Sequence, residues 1–233
     1  MRSAVIWLLD ANALADADCD RFLACLSEPE LLRYRRFLRP LRQREFLLGR
    51  ILLRFAVAQL AGIAFEAVEL IERQGRAPQL RLPVACPVMP QFSLSHSRGW
   101  VACATSADTP VGIDIEALDS GRDVEALARS AFSSAESNWL SGRPDAERVE
   151  TFYALWSAKE ALYKLMSNQG ADVVSPELVV GGLRLQSGPG WHARNWSQQG
   201  FAISLCSREE LTSVEQVHLH GATPCAWRQQ LIA

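Results

Sequence analysis

The stretch FSLSHSRGWVACATSADTPVGIDIE, residues 92–116, decides the class of fold. Within it, Phe92–Leu94 is predicted to form a short strand, and Trp100–Thr105 and Val111–Glu116 two more, because each run is short and largely apolar. The connection between the last two strands suits either a hairpin or the seam between two halves of the chain.

Helical segments and further strands flank this stretch on both sides. Hydrophobic spacing predicts helices over Asp18–Ser27, Leu31–Leu60 with a break near Pro40, Val124–Ala131, Ser134–Leu140 and Glu147–Ser167. Gly62 and Gly170 are expected to end the two long helices. Further strands are predicted over Ala4–Leu9, Val68–Glu72 and Ala202–Cys206. Helices and strands therefore alternate without the regular rhythm of a parallel βαβ sheet, and the sequence predicts an α+β fold.

Composition limits the classes of partner and compartment. The chain has 233 residues, enough for one large domain or for two of about a hundred residues each. A formal net charge of −2 favours neither nucleic acid nor an anionic membrane as a partner. No apolar run approaches the roughly 20 residues of a membrane span. The six cysteines form no C-x-x-C pair and are predicted to be free thiols, so we expect a cytoplasmic protein.

Basic residues crowd one short region near the N-terminus. The arginines of this region are Arg33, Arg35, Arg36, Arg39, Arg42, Arg44, Arg50 and Arg54. A nucleic-acid patch is disfavoured by their helical spacing and by the acidic overall balance. A pocket for several phosphates and a solvated helix face both remain open.

Two acidic residues alternate with isoleucines in the predicted strand Val111–Glu116. Because residues two apart in a strand share a face, Asp114 and Glu116 project together. Paired carboxylates repel each other unless a cation lies between them, and hard oxygen ligands suit Mg²⁺. The alternative is an acidic strand edge that faces solvent.

The segment WSAKEALYK, residues 156–164, carries the second acidic signal. Helical spacing places Trp156, Glu160 and Lys164 on one stripe, with the acid before the base. This is either an ordinary surface ion pair or, since a tryptophan shares the stripe, a partly buried pair that needs further partners.

His96 stands between two serines, in a loop predicted to follow the strand Phe92–Leu94. Its ring nitrogens and the backbone N–H groups of such a loop can hold a phosphate. The alternative is a loop histidine that caps nearby carbonyl groups.

The three motifs occur in an order that resembles a known enzyme family. FSLSHS (92–97), GIDIE (112–116) and WSAKEALYK (156–164) resemble the signature of the 4′-phosphopantetheinyl transferase superfamily. More narrowly, they resemble its surfactin-synthetase-activating (Sfp) type. QGRAP (74–78) is similar to that type's Gly-Lys-Pro loop, and Tyr34–Arg54 to its first helical region. The resemblance covers the chain from about residue 28 to residue 170.

The resemblance implies a particular architecture and reaction. It implies two pseudo-symmetric halves, each a small sheet packed with helices, with the active site at their interface. We expect residues 1–107 to form the half that contacts the nucleotide and 108–233 the half with the metal ligands. The expected enzyme is monomeric. It transfers the 4′-phosphopantetheine of coenzyme A to a serine of an apo acyl, peptidyl or aryl carrier protein and releases 3′,5′-ADP.

The resemblance also assigns roles around the metal. It implies that Asp114, Glu116 and Glu160 bind Mg²⁺, with Mn²⁺ as an open alternative. Glu160 would also be the base that takes the proton of the carrier serine. Lys164 would neutralise the pyrophosphate of coenzyme A as the leaving group departs.

A second set of residues is implied for coenzyme A itself. Ser95 and His96 would contact it, with His96 near its 3′-phosphate, and Arg33 would be a further basic contact to that phosphate. Arg76 would lie near the nucleotide, where the family usually has lysine. Ala77 replaces the usual proline, so the fit of this loop is less defined.

Two rival functions use the same residues. A metal-dependent phosphohydrolase acting on coenzyme A or a related nucleotide pyrophosphate would need no carrier protein. A non-catalytic module that only holds coenzyme A or a carrier would not need Glu160.

Overall fold

The computed structural model describes residues 1–168, 180–181, 184–185, 190–198, 200–221 and 226–227. Within these ranges the helices are α1 Asp16–Leu23, α2 Glu28–Tyr34, α3 Pro40–Ala61, α4 Val124–Ala131, α5 Ser134–Ser141 and α6 Asp145–Asn168. The strands are β1 Ser3–Asp10, β2 Glu69–Ile71, β3 Gln79–Arg81, β4 Gln91–Ser97, β5 Trp100–Ser106, β6 Val111–Ala117, β7 Val180–Gly181, β8 Arg184–Leu185, β9 His192–Gln198, β10 Phe201–Ser207 and β11 Ser213–Leu219. This mixture of helices and small sheets confirms the α+β prediction. Gly170 lies outside the described residues.

The first compact unit comprises Met1–Thr109 and the segment that begins at Leu211. Its sheet has the order β11-β1-β5-β4, with β11 parallel to β1 and the other neighbours antiparallel. The long helix α3 packs across β1, β4 and β5. Proline at its first position and Gly62 just beyond its end, at φ 65°, set its limits as predicted.

Helix α3 is buried on almost all sides, which gives two of its arginines a structural role. Arg50 donates to Glu72 at 2.8 Å, and Arg54 donates to Glu30 at 2.6 Å. All four side chains are buried or nearly so. For Arg50 and Arg54, neither a phosphate pocket nor a solvated face is correct, because buried charges need fixed partners.

The β4–β5 hairpin corrects one prediction. The loop expected at Ser95–Ser97 is instead the end of β4, and the turn consists of Arg98 and Gly99, both at positive φ (47° and 89°). Two consecutive residues at positive φ make the turn whose twist fits a two-residue hairpin. A Cβ at Gly99 would meet the end of the exposed Asn12 side chain at 2.2 Å, so that side chain would have to move.

The second compact unit comprises Pro110–Glu210. Its three-stranded antiparallel sheet has the order β6-β10-β9, and α6 packs against all three strands. Because β5 and β6 belong to different sheets, the connection between them is a seam rather than a hairpin.

Gly112 brings α6 unusually close to β6. A Cβ at this position would lie 2.1 Å from the carbonyl oxygen of Ala161 and 2.6 Å from the backbone nitrogen of Leu165. The helix backbone therefore rests directly on the strand. Gly112, Asp114 and Glu116 are two residues apart and therefore share one face of β6. Both carboxylates thus lie on the face that meets α6.

The two units divide the chain differently from the predicted halves at its C-terminal end. The predicted second half ran to residue 233, whereas β11 pairs with β1 from Ser3 opposite Ser213 to Leu9 opposite Leu219. No local sequence pattern predicts the pairing of β1 with β11, because the two strands are far apart in the sequence. Among the described helices, none is long and apolar enough to cross a membrane.

Candidate active site

Helix α6 and strand β6 bring an acid and a base of two different motifs together. The Nζ of Lys164 donates to Oδ1 of Asp114 at 2.6 Å. The Asp114 side chain is only 4% exposed, whereas that of Lys164 is 26% exposed. Ser157, one turn before Glu160, donates its hydroxyl to the backbone oxygen of Asp114 and ties the helix to the strand. Lys164, which was predicted to pair with Glu160 on the helix, thus also binds a carboxylate of the neighbouring strand.

Glu160 lies close enough to Asp114 and Lys164 for their charges to act on it. Its pKa is raised, first by burial and then by the negative charge of Asp114, while Lys164 acts in the opposite direction. Two carboxylates that feel each other's charge therefore share one site. A glutamate in this setting holds its proton more readily than an exposed one, which suits a general base.

Glu116 completes the acidic face of β6. It lies two residues beyond Asp114 on the same face and is half-buried. Its cross-strand partner on β10 is Ala202, which is buried.

The residues assigned to coenzyme A occur in the first unit. His96 lies on β4, with Nδ1 3.0 Å from Oε2 of Glu45 on α3. Arg33 is half-exposed at the end of α2 and is paired with Glu72 at 2.5 Å. Arg76 is exposed in the turn between β2 and β3. Ser95 is buried and, by strand alternation, faces the side of β4 opposite to His96.

Family models match the chain in two successive segments. One, described as the 4′-phosphopantetheinyl transferase superfamily, matches residues 110–227, and a second, described as 4′-phosphopantetheinyl transferase, N-terminal, matches residues 15–108. The chain belongs to the 4′-phosphopantetheinyl transferase superfamily. The membership predicted from the three sequence motifs is confirmed.

Relatives named as 4′-phosphopantetheinyl transferases come from several bacteria. HetI of a Nostoc species is 31% identical over 171 residues, which is 72% of each chain. Sfp of Bacillus subtilis is 29% identical over 153 residues, 65% of this chain and 64% of that one. A putative transferase of Synechocystis is 26% identical over 236 residues, 90% of this chain and 91% of that one.

The carboxylates of this phosphopantetheinyl transferase have the donor chemistry that Mg²⁺ prefers. Within the described ranges, however, no three Asp, Glu, His or Cys residues are already gathered closely enough to hold a metal. Magnesium is commonly held by one or two carboxylates together with substrate phosphates rather than by a cage made of protein alone. The mutual repulsion of Asp114 and Glu160 fits such a site, because a cation between them would relieve it.

The other lysine of the motif has a different partner. Lys159 donates to both carboxylate oxygens of Glu136, at 2.9 and 2.8 Å, and its Nζ lies 5.5 Å from the centre of the Phe132 ring. Glu136 is buried and also accepts from the backbone of Ser133 at the start of α5. This pair fastens α5 to α6 and takes no part in the candidate site.

We expect Lys159→Met to lower the free energy of unfolding by about 3 kcal/mol, because it leaves the buried Glu136 carboxylate without its cation. Chemical denaturation of the purified variant would measure the loss. The double variant Lys159→Met/Glu136→Leu should recover much of this stability. A variant as stable as the original chain would show that the pair contributes little.

Sequence reasoning did not single out Glu45, and it named Arg42 only as one of the arginines of the basic region. Glu45 is buried, with an exposed fraction of 5%, and contacts both His96 and the hairpin turn. The signal available was a lone acid in a strongly basic run, at a position where helix α3 becomes apolar. Its partners come from a distant strand, so no spacing rule identifies them.

Proposed function

We propose that this chain transfers the 4′-phosphopantetheine of coenzyme A to a serine of an apo acyl, peptidyl or aryl carrier protein and releases 3′,5′-ADP. The observation that carries the proposal is the meeting of Asp114, Glu160 and Lys164 where α6 rests on β6. Family membership supports the same activity. It gives no support to a phosphohydrolase, and a mere binding module would have no need of this set.

The reaction requires the serine hydroxyl to attack the β-phosphorus of coenzyme A. Phosphoryl transfer of this kind depends on positioning and charge neutralisation more than on covalent chemistry. In this proposal Lys164, which is held by Asp114 and about one quarter exposed, neutralises the departing 3′,5′-ADP. Glu160 takes the serine proton, directly or through water.

Asp114, Glu116 and Glu160 are the residues that we propose to hold Mg²⁺ together with pyrophosphate oxygens. When bound, the metal supplies charge neutralisation on the phosphate oxygens. Because all three carboxylates lie on β6 and α6, the close contact at Gly112 sets their spacing. Assays with Mn²⁺ in place of Mg²⁺ test the alternative cation.

The first unit is proposed to hold the nucleotide end of coenzyme A. In this proposal His96 and Arg33 bind the 3′-phosphate, and Arg76 binds the nucleotide. Since Ser95 and His96 face opposite sides of β4, we keep Ser95 as a contact to another part of coenzyme A. Our proposal therefore assigns the nucleotide contacts to the first unit and the metal ligands to the second.

We keep a monomer and a cytoplasmic location as predictions. The described cysteines Cys19, Cys25, Cys86, Cys103 and Cys206 are all free thiols. Burial raises the pKa of the Cys206 thiol to about 12, so this cysteine is chemically inert at neutral pH. Free thiols suit a reducing compartment.

The deciding experiment mixes the purified protein with coenzyme A, Mg²⁺ and an apo carrier domain and measures the intact mass of the carrier. We expect a gain equal to one phosphopantetheine arm, which is lost when EDTA removes the metal. Acyl, peptidyl and aryl carriers are tested in parallel, so that each proposed class of target is covered.

The rival functions give different products. Cleavage of coenzyme A without a carrier would favour the phosphohydrolase. Binding of coenzyme A with no mass gain on any carrier would favour the binding module. Either outcome would overturn the transferase proposal.

A further inference from the structure

The carboxylate of Glu45 lies at the centre of a small cluster in the first unit. Its Oε2 is 3.0 Å from Nδ1 of His96 and 3.7 Å from NH1 of Arg42. Its Oε1 accepts the backbone N–H of Gly99 at 2.9 Å. One buried side chain therefore contacts helix α3, strand β4 and the turn after β4.

The fold explains why His96 meets this carboxylate. Phe92 and Leu94 pack against the core that α3 helps to form, and strand alternation puts His96 on the same face. The hydrogen bond at Nδ1 fixes the orientation of the ring, and with it the nitrogen left for a ligand. The His96 side chain remains 36% exposed, so its outer edge is open to such a ligand.

Arg42 lies near the same oxygen and is held by a second contact. Its guanidinium lies over the Phe37 ring, 5.0 Å from the ring centre. The contact to Glu45 is an ion pair rather than a hydrogen bond, and the Arg42 side chain is 34% exposed. Donors of Arg42 thus stay available for an anion. Arg33 is close enough for its charge to act on Arg42, so a second cation lies near the Arg42 guanidinium.

The carboxylate is in its charged form at neutral pH. Burial by itself raises the pKa of Glu45, but hydrogen bonds from His96 and Gly99 and the charges of His96 and Arg42 bring the pKa below its usual value. A buried carboxylate with two hydrogen-bond donors and a cation around it acts as a rigid anchor, since moving any of them leaves the charge less well compensated.

We propose that Glu45 is a positioning residue that fixes His96 and Arg42 around one oxygen, as a prepared pair of donors for the 3′-phosphate of coenzyme A. The inference rests on the proposed function, which gives His96 its contact to that phosphate, and adds Arg42 and Glu45 to it. Glu45 itself does not touch the phosphate. Because Glu45 neutralises part of the basic cluster, the donors can be gathered before the ligand arrives.

The test compares two nucleotides that differ in the 3′-phosphate, namely 3′,5′-ADP and 5′-AMP. Calorimetric titration in EDTA-containing buffer measures their affinities without metal, carrier or turnover. The original chain should prefer 3′,5′-ADP. Glu45→Gln should weaken binding of 3′,5′-ADP by about tenfold, because an amide cannot accept from both His96 and Gly99, and leave 5′-AMP within about twofold.

A double-variant cycle separates positioning from a general effect on the fold. If Glu45 acts through His96, adding Glu45→Gln to His96→Ala should cost much less than Glu45→Gln alone. Arg42→Gln, at a partly exposed residue, should selectively weaken 3′,5′-ADP even if the Glu45 variant folds poorly. Arg39→Gln, a matched change at an exposed arginine, should have no effect on either nucleotide.

Several outcomes would overturn the inference. They are equal affinity of the original chain for the two nucleotides, equal weakening of both by Glu45→Gln, or full additivity with His96→Ala. These binding results are independent of the transfer assay. Failure of transfer to every carrier would count against the proposed function, whereas failure of the nucleotide preference would count against the 3′-phosphate site.

Discussion

Glu160→Gln is expected to lower the rate of phosphopantetheine transfer at saturating coenzyme A by about 10²–10⁴-fold, the usual contribution of a general base. The amide keeps the size of the side chain but neither takes the serine proton nor offers a charged oxygen to a cation. The measurement is the initial rate of holo-carrier formation, followed by mass. The variant should fold normally, because removing one of two adjacent carboxylates relieves repulsion with Asp114.

Glu150→Gln provides the matched control. Glu150 is an exposed acid on the same helix, ten residues before Glu160. This variant should transfer at the original rate. If Glu160→Gln were equally active, Glu160 would be neither the base nor an essential metal ligand, and the assignment of α6 as the catalytic helix would fail.

Gly112→Ala is expected to lower the free energy of unfolding by about 3 kcal/mol or more and to abolish transfer, although Gly112 has no functional group. A methyl group there would lie 2.1 Å from Ala161 O and 2.6 Å from Leu165 N. Both are backbone atoms, so the helix must move as a body. Glu160 and Lys164 would move with it, away from Asp114. Denaturation curves and the carrier assay measure the two losses.

Gly142→Ala is the control for glycine loss in the same unit. A Cβ at Gly142 would meet its nearest atoms at 3.5 and 3.6 Å, which is ordinary contact, and its φ of −76° is open to any residue. We therefore expect little change. An active and stable Gly112→Ala variant would show that α6 can shift without disturbing the site.

Local patterns predicted the elements of the fold well. The helix over Val124–Ala131 has the same bounds in the structure. The long helix around Glu160 was predicted over Glu147–Ser167 and runs from Asp145 to Asn168. These segments have strong hydrophobic spacing and recognisable ends. The error at Ser95–Ser97 has a physical cause: the turn needs only two residues at positive φ, so the strand continues through the serines.

The candidate site was predictable in its members but not in its contacts. Strand alternation correctly placed Asp114 and Glu116 on one face, and helical spacing placed Glu160 and Lys164 on one stripe. The sequence does not show that Lys164 reaches Asp114 while Lys159 binds Glu136, since the two lysines of one helix differ only in the element that packs beside them. Glu45 was missed for the same reason.

The return of β11 to the first sheet makes the second unit an insertion with adjoining ends. Arg208 donates its backbone N–H to Pro110 O at 3.1 Å, so the entry and the exit of this unit lie side by side. On the ribosome, β1 emerges early but its parallel neighbour emerges only after the whole insertion. The first sheet must therefore remain incomplete until late in synthesis, and contacts between such distant segments form slowly. A chain interrupted shortly before β11 would carry all the residues assigned to catalysis and still present an unpaired strand edge, which favours aggregation.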